Sequence, residues 1–73
     1  MKGLLLRSLE EHMLLEMIYM STNNQISQRR ILVTDMNDST IRAYCYLRKQ
    51  TRLFKIENIL SIMPQSFYGQ KLG

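Results

Sequence analysis

The chain has 73 residues, a net charge of +4 and a hydrophobic content of 45%, which is enough for one small folded domain with a thin core. Its single cysteine, Cys45, excludes an internal disulfide and favours a reducing, cytoplasmic setting. Arg7, Glu10 and Glu11 interrupt the N-terminal apolar run, which excludes a signal peptide or a membrane-spanning helix in this segment.

The first segment carries apolar residues at helical spacing. Charged residues occupy the other faces, among them Arg7, Glu10 and Glu11. The spacing predicts one amphipathic helix over residues 3–15, whose role is to cover one end of a small sheet. Its apolar positions are Leu5, Leu6, Leu9, Met13, Leu14 and Met17.

The rest of the chain is divided into short β-rich segments by the turn sequences "TNNQ", "DMNDS" and "RKQT". One helix with four or five closely spaced strands predicts a mostly β (α+β) domain, with the strands in a small antiparallel β-barrel or half-barrel. The domain is expected to span residues 1–64, and residues 65–73 are expected to form a loose tail. The predicted strands are "EMIYMS", "ISQRRILVT", "TIRAYCYL", "RLFKI" and a short "NILSIMP" ended by Pro64.

The positive charge is concentrated in the middle of the chain. Residues 27–55 contain seven basic and two acidic residues, a net charge of +5, whereas residues 1–20 sum to −1. Such asymmetry favours an anionic partner, and nucleic acid is the usual one. The alternative is a solvated strand surface whose Arg and Lys side chains only keep the protein soluble.

Side-chain alternation assigns faces to the hairpin "AYCYLRKQTRLFKI". Odd positions such as Cys45 are apolar and are predicted to face the core, and even positions such as Tyr44 are predicted to face outward. A tip at Lys49 and Gln50 would place Cys45 opposite Phe54 and Tyr44 opposite Lys55. Rings that alternate with cations suit single-stranded nucleic acid, because bases stack on rings and phosphates pair with Arg and Lys. The alternative is that Tyr is present only as a good strand residue with a solvated hydroxyl. The outward series on the first strand is Arg42, Tyr44, Tyr46 and Arg48.

Several residues carry no catalytic or metal-binding pattern. His12 has no second His or free Cys nearby for a metal site, and Cys45 is expected to be a buried thiol. No Ser or Cys has a base in its vicinity, and no Gly-rich phosphate loop exists. We therefore expect neither an enzyme nor a bound cofactor.

Two segments, "ISQRRILV" and "AYCYLRKQTRLFKIENILSIMP", resemble the WYL domain, the regulatory module of many bacterial transcription factors. The resemblance covers residues 4–64 and implies a helix followed by an Sm-like (SH3-like) small β-barrel. Ser39, Thr40 and Ile41 stand where the family has Trp-Tyr-Leu, and Lys49 stands where it has a turn glycine. Only one helix fits before Met17, so a stand-alone module without the family's helix-turn-helix is expected. The matching residues include Tyr19, Ser27, Arg29, Ala43 to Cys45, Leu47, Arg48, Arg52, Phe54, Lys55 and Ile59.

The resemblance implies a sensor that binds a negatively charged ligand, often single-stranded nucleic acid, through basic residues of the barrel. A second function class stays open. In it the chain is a non-catalytic interaction module that forms a homo-oligomer or docks on a partner transcription regulator, without a membrane. The expected ligand-binding residues are Arg29, Tyr44, Arg48, Arg52 and Lys55.

Overall fold

The computed structural model describes residues 2–65. They form one helix and five antiparallel strands, as the sequence predicts. The strands lie in a single sheet in the order β4-β3-β2-β1-β5. The elements are α1 (Lys2–Glu11), β1 (Leu15–Met20), β2 (Ile26–Met36), β3 (Thr40–Cys45), β4 (Gln50–Lys55), a 3-10 turn (Ile56–Asn58) and β5 (Ile59–Pro64).

Helix α1 is shorter than the predicted span of residues 3–15. It ends at Glu11 because His12 adopts a left-handed backbone conformation with φ of 57°. Leu15 and Met17, whose spacing fitted a helix, are instead alternate buried residues of β1. The apolar positions between α1 and β1 fit both the helical spacing and the alternation of a strand, so spacing alone does not locate the end of the helix.

One face of the sheet, here called the inner face, carries the core, and helix α1 packs against β2 over it. Leu5 and Ser8 are the fully buried residues that α1 contributes. The opposite side of the sheet is called the outer face. The buried apolar residues are Leu5, Leu15, Met17, Ile31, Val33, Ile41, Ala43, Cys45, Phe54 and Ile59.

Ser8 joins the helix to the sheet. Its hydroxyl donates a hydrogen bond to the Met13 carbonyl (2.6 Å) and accepts one from the Val33 N–H (3.1 Å). Val33 has no partner on β1, because β1 starts at Leu15 and Leu15 is paired with Ile31, two residues before Val33. The hydroxyl therefore satisfies a backbone donor that no neighbouring strand reaches.

The strands form an open sheet rather than a closed barrel, because β4 and β5 are its two edges in the described residues. The sheet is nevertheless strongly curved. Strands β4 and β1 would be about 14 Å apart across a flat sheet, at three spacings of about 4.8 Å. Instead, the Tyr19 and Phe54 rings pack edge to face with centroids 5.0 Å apart, and the Lys55 N–H donates to the Tyr19 hydroxyl (3.0 Å).

The β3–β4 hairpin differs from the predicted register. Strand β3 ends at Cys45, so Cys45 lies opposite Gln50, and Phe54 lies opposite Ile41. The pairing with Phe54 predicted for Cys45 is therefore wrong by four residues. The inward assignment of both residues is correct, since each is buried. The connection is a longer turn over residues 46–49, in which Lys49 has φ of 56°.

Apart from Gln65, the tail expected at residues 65–73 lies outside the described residues. Gln65 continues the end of β5, where its N–H donates to the Leu14 carbonyl (2.9 Å). No helix within residues 2–65 combines the length and apolar character needed to cross a bilayer.

Candidate anion-binding site

The five residues expected to bind a ligand are divided between the two faces of the sheet. Arg29 lies on the inner face, because it shares the alternation of the buried Ile31 and Val33. Arg52 lies opposite the buried Ala43 and so belongs to the inner side as well, although it is exposed. Tyr44 and Lys55 have the outward alternation, and Arg48 lies in the β3–β4 turn.

Arg29 is held in place by three contacts on the inner face. Its Nε donates to the Ser27 hydroxyl (3.0 Å), and its Nη1 donates to the Cys45 sulfur (3.6 Å). Its guanidinium carbon lies 5.8 Å from the centroid of the Phe54 ring, within the range of a cation–π contact. These contacts fix a planar cation at the margin of the core.

The charge of Arg29 has no carboxylate partner within the described part of the chain. The ion pairs there are Lys2–Asp38 and Arg7–Glu11, both at exposed positions. A guanidinium carries five N–H donors, and the described contacts of Arg29 use two of them. A half-buried cation with unused donors suits an anionic ligand, because its hydrogen bonds to phosphate or carboxylate are charge-assisted.

The thiol of Cys45 lies beside this guanidinium and is fully buried. Burial acts to raise the pKa of the thiol, but the backbone N–H of Arg48, the Arg29 side chain and the backbone N–H of Leu47 together lower it below its ordinary value. The end of β3 is therefore a locally electropositive position. The predicted description of Cys45 as a buried thiol is confirmed.

Three arginines are arranged around Cys45, and they are called the arginine group: Arg29, Arg48 and Arg52. Arg29 touches the sulfur, and the main chain of Arg48 faces it. Arg52 is two residues from Gln50, the partner of Cys45 across the hairpin. The fold thus brings together, at one end of the hairpin, residues that are up to 23 positions apart in sequence.

The other two expected residues do not join the arginine group, and they do not lie beside each other. Tyr44 is opposite Thr51, whereas Lys55 is opposite Thr40 at the far end of β4. The predicted adjacency of Tyr44 and Lys55 is therefore wrong, for the reason given for the hairpin register. Lys55 lines a shallow depression with Asp38, Ser39, Thr40, Ile56 and Glu57, so its surroundings include two acidic residues.

Tyr44 has an aromatic neighbour. Its ring packs edge to face against Tyr46, with centroids 4.8 Å apart. Tyr46 continues the pairing of β3 with β2, since its N–H donates to the Arg30 carbonyl (3.0 Å). Tyr46 is 41% exposed, and it is therefore the more accessible of the two rings.

Tyr46 and two arginines border an open depression near the β3–β4 turn. Arg29 and Arg30 come from β2, and Glu16 comes from the adjoining position on β1. The Arg30 guanidinium and the Tyr46 ring share the outward alternation at this depression, and a ring beside a cation is the combination that stacking and phosphate contacts use. The lining residues are Glu16, Gln28, Arg29, Arg30, Tyr46 and Leu47.

Sequence reasoning placed Tyr46 in the outward series of rings and cations but not among the five expected ligand-binding residues. It did not place Arg30 at the ligand site, nor Ser27 and Phe54 around Arg29. The alternation of side chains along β2 could have predicted part of this arrangement. Ser27 and Arg29 share the parity of the apolar Ile31, so all three must face inward. The contact of Arg29 with Phe54 joins β2 to β4, which are not neighbours in the sheet. It depends on sheet curvature, which a pattern of alternation does not specify.

Within residues 2–65, no three His, Cys, Asp or Glu side chains are grouped as a metal site would require. No family model matches the chain. No curated protein matches it either.

A solved structure does have a similar fold. The chain is similar to the proteasome accessory factor B/C (PafBC) of Arthrobacter aurescens, with a TM-score of 0.76 and 17% sequence identity over 88% of this chain. The matched region is 11% of the PafBC chain. The likeness is one of fold, and it supports the WYL-like fold that the sequence resemblance implies.

Proposed function

We propose that this chain is a WYL-like sensing module that binds single-stranded nucleic acid or another anionic ligand and acts in bacterial transcription regulation. The observation that carries the proposal is the half-buried Arg29, oriented by Ser27, Cys45 and Phe54 and without a carboxylate partner in the described part of the chain. The fold likeness to PafBC and the net charge of +5 in residues 27–55 support it further.

In this proposal, the arginine group supplies charge for phosphates. Lys55, at the other end of β4, adds to the field rather than to the same contact. Tyr44 supports the stacking surface, and its neighbour Tyr46 presents the more accessible ring. The Tyr19–Phe54 contact joins β1 to β4 at the curved end of the sheet and keeps Phe54 beneath Arg29.

The test is a titration of fluorescent single-stranded oligonucleotides at several salt concentrations. Removal of one cation that pairs with a phosphate should reduce the slope of log affinity against log salt by about 0.7. Arg29→Gln and Arg48→Ala should each weaken binding and reduce this slope. Tyr44→Ala should weaken binding by about 1–3 kcal/mol and leave the slope nearly unchanged, because a ring releases no counterions.

Arg42→Gln is the matched control. It removes the same charge as Arg29→Gln from an exposed outer-face position on β3, opposite Asp35. Equal losses for the two variants would mean that binding follows net charge and not the site. If no binding is seen at about 1 mM protein and low salt, the affinity is weaker than that of ordinary non-specific association, and the proposal is refuted. Competition by inorganic polyphosphate distinguishes a general anion site from one that needs bases.

The alternative function, a non-catalytic interaction module, is favoured by a different observation. Apolar side chains are exposed on or beside both edge strands: Leu47 and Leu53 near β4, and Leu60 and Met63 on β5. A homo-oligomer would show a mass that rises with protein concentration in light scattering and is indifferent to oligonucleotide. A domain of this size would gain stability from such a partner.

A further inference from the structure

The second surface that the structure defines is the free edge of β4. Strand β4 is bonded to β3 on one side only, and no other strand within residues 2–65 pairs with its second side. Five of its six residues are exposed, and Phe54 is the exception. An unpaired edge of this kind is a template for another extended chain unless something protects it.

Hydrogen bonds on both sides of β4 show which backbone groups face the free edge. The Ile56 N–H donates to the Ser39 carbonyl, so residues of even number direct their groups towards β3. The Lys55 N–H donates away from β3, to the Tyr19 hydroxyl. Because the direction alternates along an antiparallel strand, the N–H and C=O groups of Thr51 and Leu53 point to the free edge.

The charges beside this edge select its partner. Residues 48–55 contain Arg48, Lys49, Arg52 and Lys55 and no acidic residue. None of the four is ion-paired within the described part of the chain. If β4 paired antiparallel with β4 of a second copy so that Thr51 met Leu53, Arg52 would lie opposite Arg52 and Lys49 opposite Lys55, and like charges across a strand pair are destabilising. An acidic segment would meet opposite charge instead.

We propose that the free edge of β4 binds an extended acidic segment of a partner protein, which adds to the sheet as a sixth strand. Such strand addition obtains affinity from main-chain hydrogen bonds and specificity from alternate side chains. An apolar residue of the segment lies beside Leu53, which is 62% exposed. Acidic residues lie beside Lys55 on the same face and beside Arg52 on the other.

This geometry defines a probe. In antiparallel pairing, a peptide that begins Glu-Ser-Val-Glu-Thr and carries fluorescein at its C-terminus places its Val opposite Leu53 and its second Glu opposite Arg52. Its first Glu ends the pairing beside Lys55, because the Lys55 N–H is already bonded to the Tyr19 hydroxyl. The Val N–H then donates to the Leu53 carbonyl, whereas the N–H of the second Glu points away from β4. Two N-methylated peptides therefore differ only in whether the blocked donor faces the protein.

Binding is measured by anisotropy and by the amide NMR shifts of β4 in the full chain. We expect the peptide methylated at Val to bind about 3- to 10-fold more weakly than the peptide methylated at the second Glu, as for loss of one net hydrogen bond. The largest amide shifts should fall on Thr51 and Leu53. Equal affinity of the two methylated peptides would overturn the proposal, because charge attraction alone would then account for binding.

Substitutions in the protein give an independent arm. Leu53→Pro removes a donor that faces the free edge and leaves the ladder to β3 intact, a position where an edge strand tolerates proline. Leu53→Ala is the control, since it removes the side chain but keeps the donor. We expect Leu53→Pro to bind the peptide more weakly than Leu53→Ala, with oligonucleotide binding unchanged in both. The peptide pair decides the question if Leu53→Pro does not fold.

Two further outcomes identify a different occupant and would refute the proposal. If the Thr51 and Leu53 amides shift with oligonucleotide and not with peptide, the edge belongs to nucleic acid. If they shift with protein concentration alone while the mass rises, the edge joins two copies of this chain.

Discussion

Ser8→Ala tests how the helix is fastened to the sheet. The substitution removes the hydroxyl that bridges the Met13 carbonyl and the Val33 N–H, at a position with no solvent exposure. A buried donor left without a partner costs about 1–3 kcal/mol. Alanine returns roughly 0.5 kcal/mol through its higher helix propensity. The free energy of unfolding should therefore fall by about 0.5–2.5 kcal/mol.

This destabilisation is large for so small a domain. At about 0.05–0.15 kcal/mol per residue, the whole chain is stable by roughly 4–11 kcal/mol. The melting temperature should fall by about 4–8 °C for each kcal/mol of destabilisation. Chemical denaturation followed by circular dichroism measures the free energy. The denaturant slope should stay constant if the folded state is otherwise unchanged.

Glu10→Ala on the exposed side of the same helix is the matched control and should change stability little. Amide exchange supplies a local readout, because the Val33 N–H should lose protection in Ser8→Ala more than its neighbours do. A Ser8→Ala protein as stable as the Glu10→Ala protein, with Val33 still protected, would refute the bridging role of the hydroxyl.

Three further predictions concern the curved end of the sheet and the hairpin. Tyr19→Phe should lower the free energy of unfolding, measured by denaturation, by about 0.5–1 kcal/mol. It removes the acceptor of the Lys55 N–H but keeps the ring packed on Phe54. No change in the free energy would mean that water replaces the hydroxyl. Lys49→Gly should raise the free energy of unfolding by about 0.5–1 kcal/mol, because a φ of 56° disfavours a residue with a Cβ. Lys49→Ala controls for the removed charge and should show no such gain. The pKa of Cys45 is lower in the folded than in the unfolded chain, so between these two pKa values the unfolded chain binds more protons. The stability of the protein relative to Cys45→Ala should therefore increase as pH rises through this window. A difference in unfolding free energy between the two proteins that is constant from about pH 7 to 9.5 would contradict the assigned shift.

The strands were predictable from the sequence because alternation and turn residues agree along most of the chain. The faces of the hairpin residues were predictable for the same reason: Cys45, Phe54 and Ala43 are buried, as their parity indicates. The register of the β3–β4 hairpin was not predictable from the sequence. A slip of four residues keeps every side chain on its face, so apolar matching cannot distinguish the two pairings. The turn decides between them. A lysine gives no signal of its own for a left-handed backbone conformation, and at position 49 the only such signal is the turn glycine of the resembled family.

The candidate site was predictable in part. Charge and family resemblance indicated Arg29, Arg48 and Arg52. Arg29 contacts the Cys45 sulfur, the main chain of Arg48 faces it, and Arg52 lies two residues from the strand partner of Cys45. Tyr44 and Lys55 were grouped with each other by the assumed register, and the structure separates them. The support of Arg29 by Phe54 requires β4 to curve over β2, and such curvature arises from tertiary packing rather than from local pattern.

The position of β1 in the sheet has a consequence for the order of folding. Strand β1 is paired on both sides, but its second partner β5 begins only at Ile59, some forty residues after Leu15. During synthesis, β1 can pair with β2 early, and its other side stays unpaired until the last strand is available. Long-range pairing of this kind slows folding, because the ends of a long loop must meet first. A chain cut before Ile59 should retain the β2–β3–β4 meander, expose the free side of β1 and be prone to aggregation.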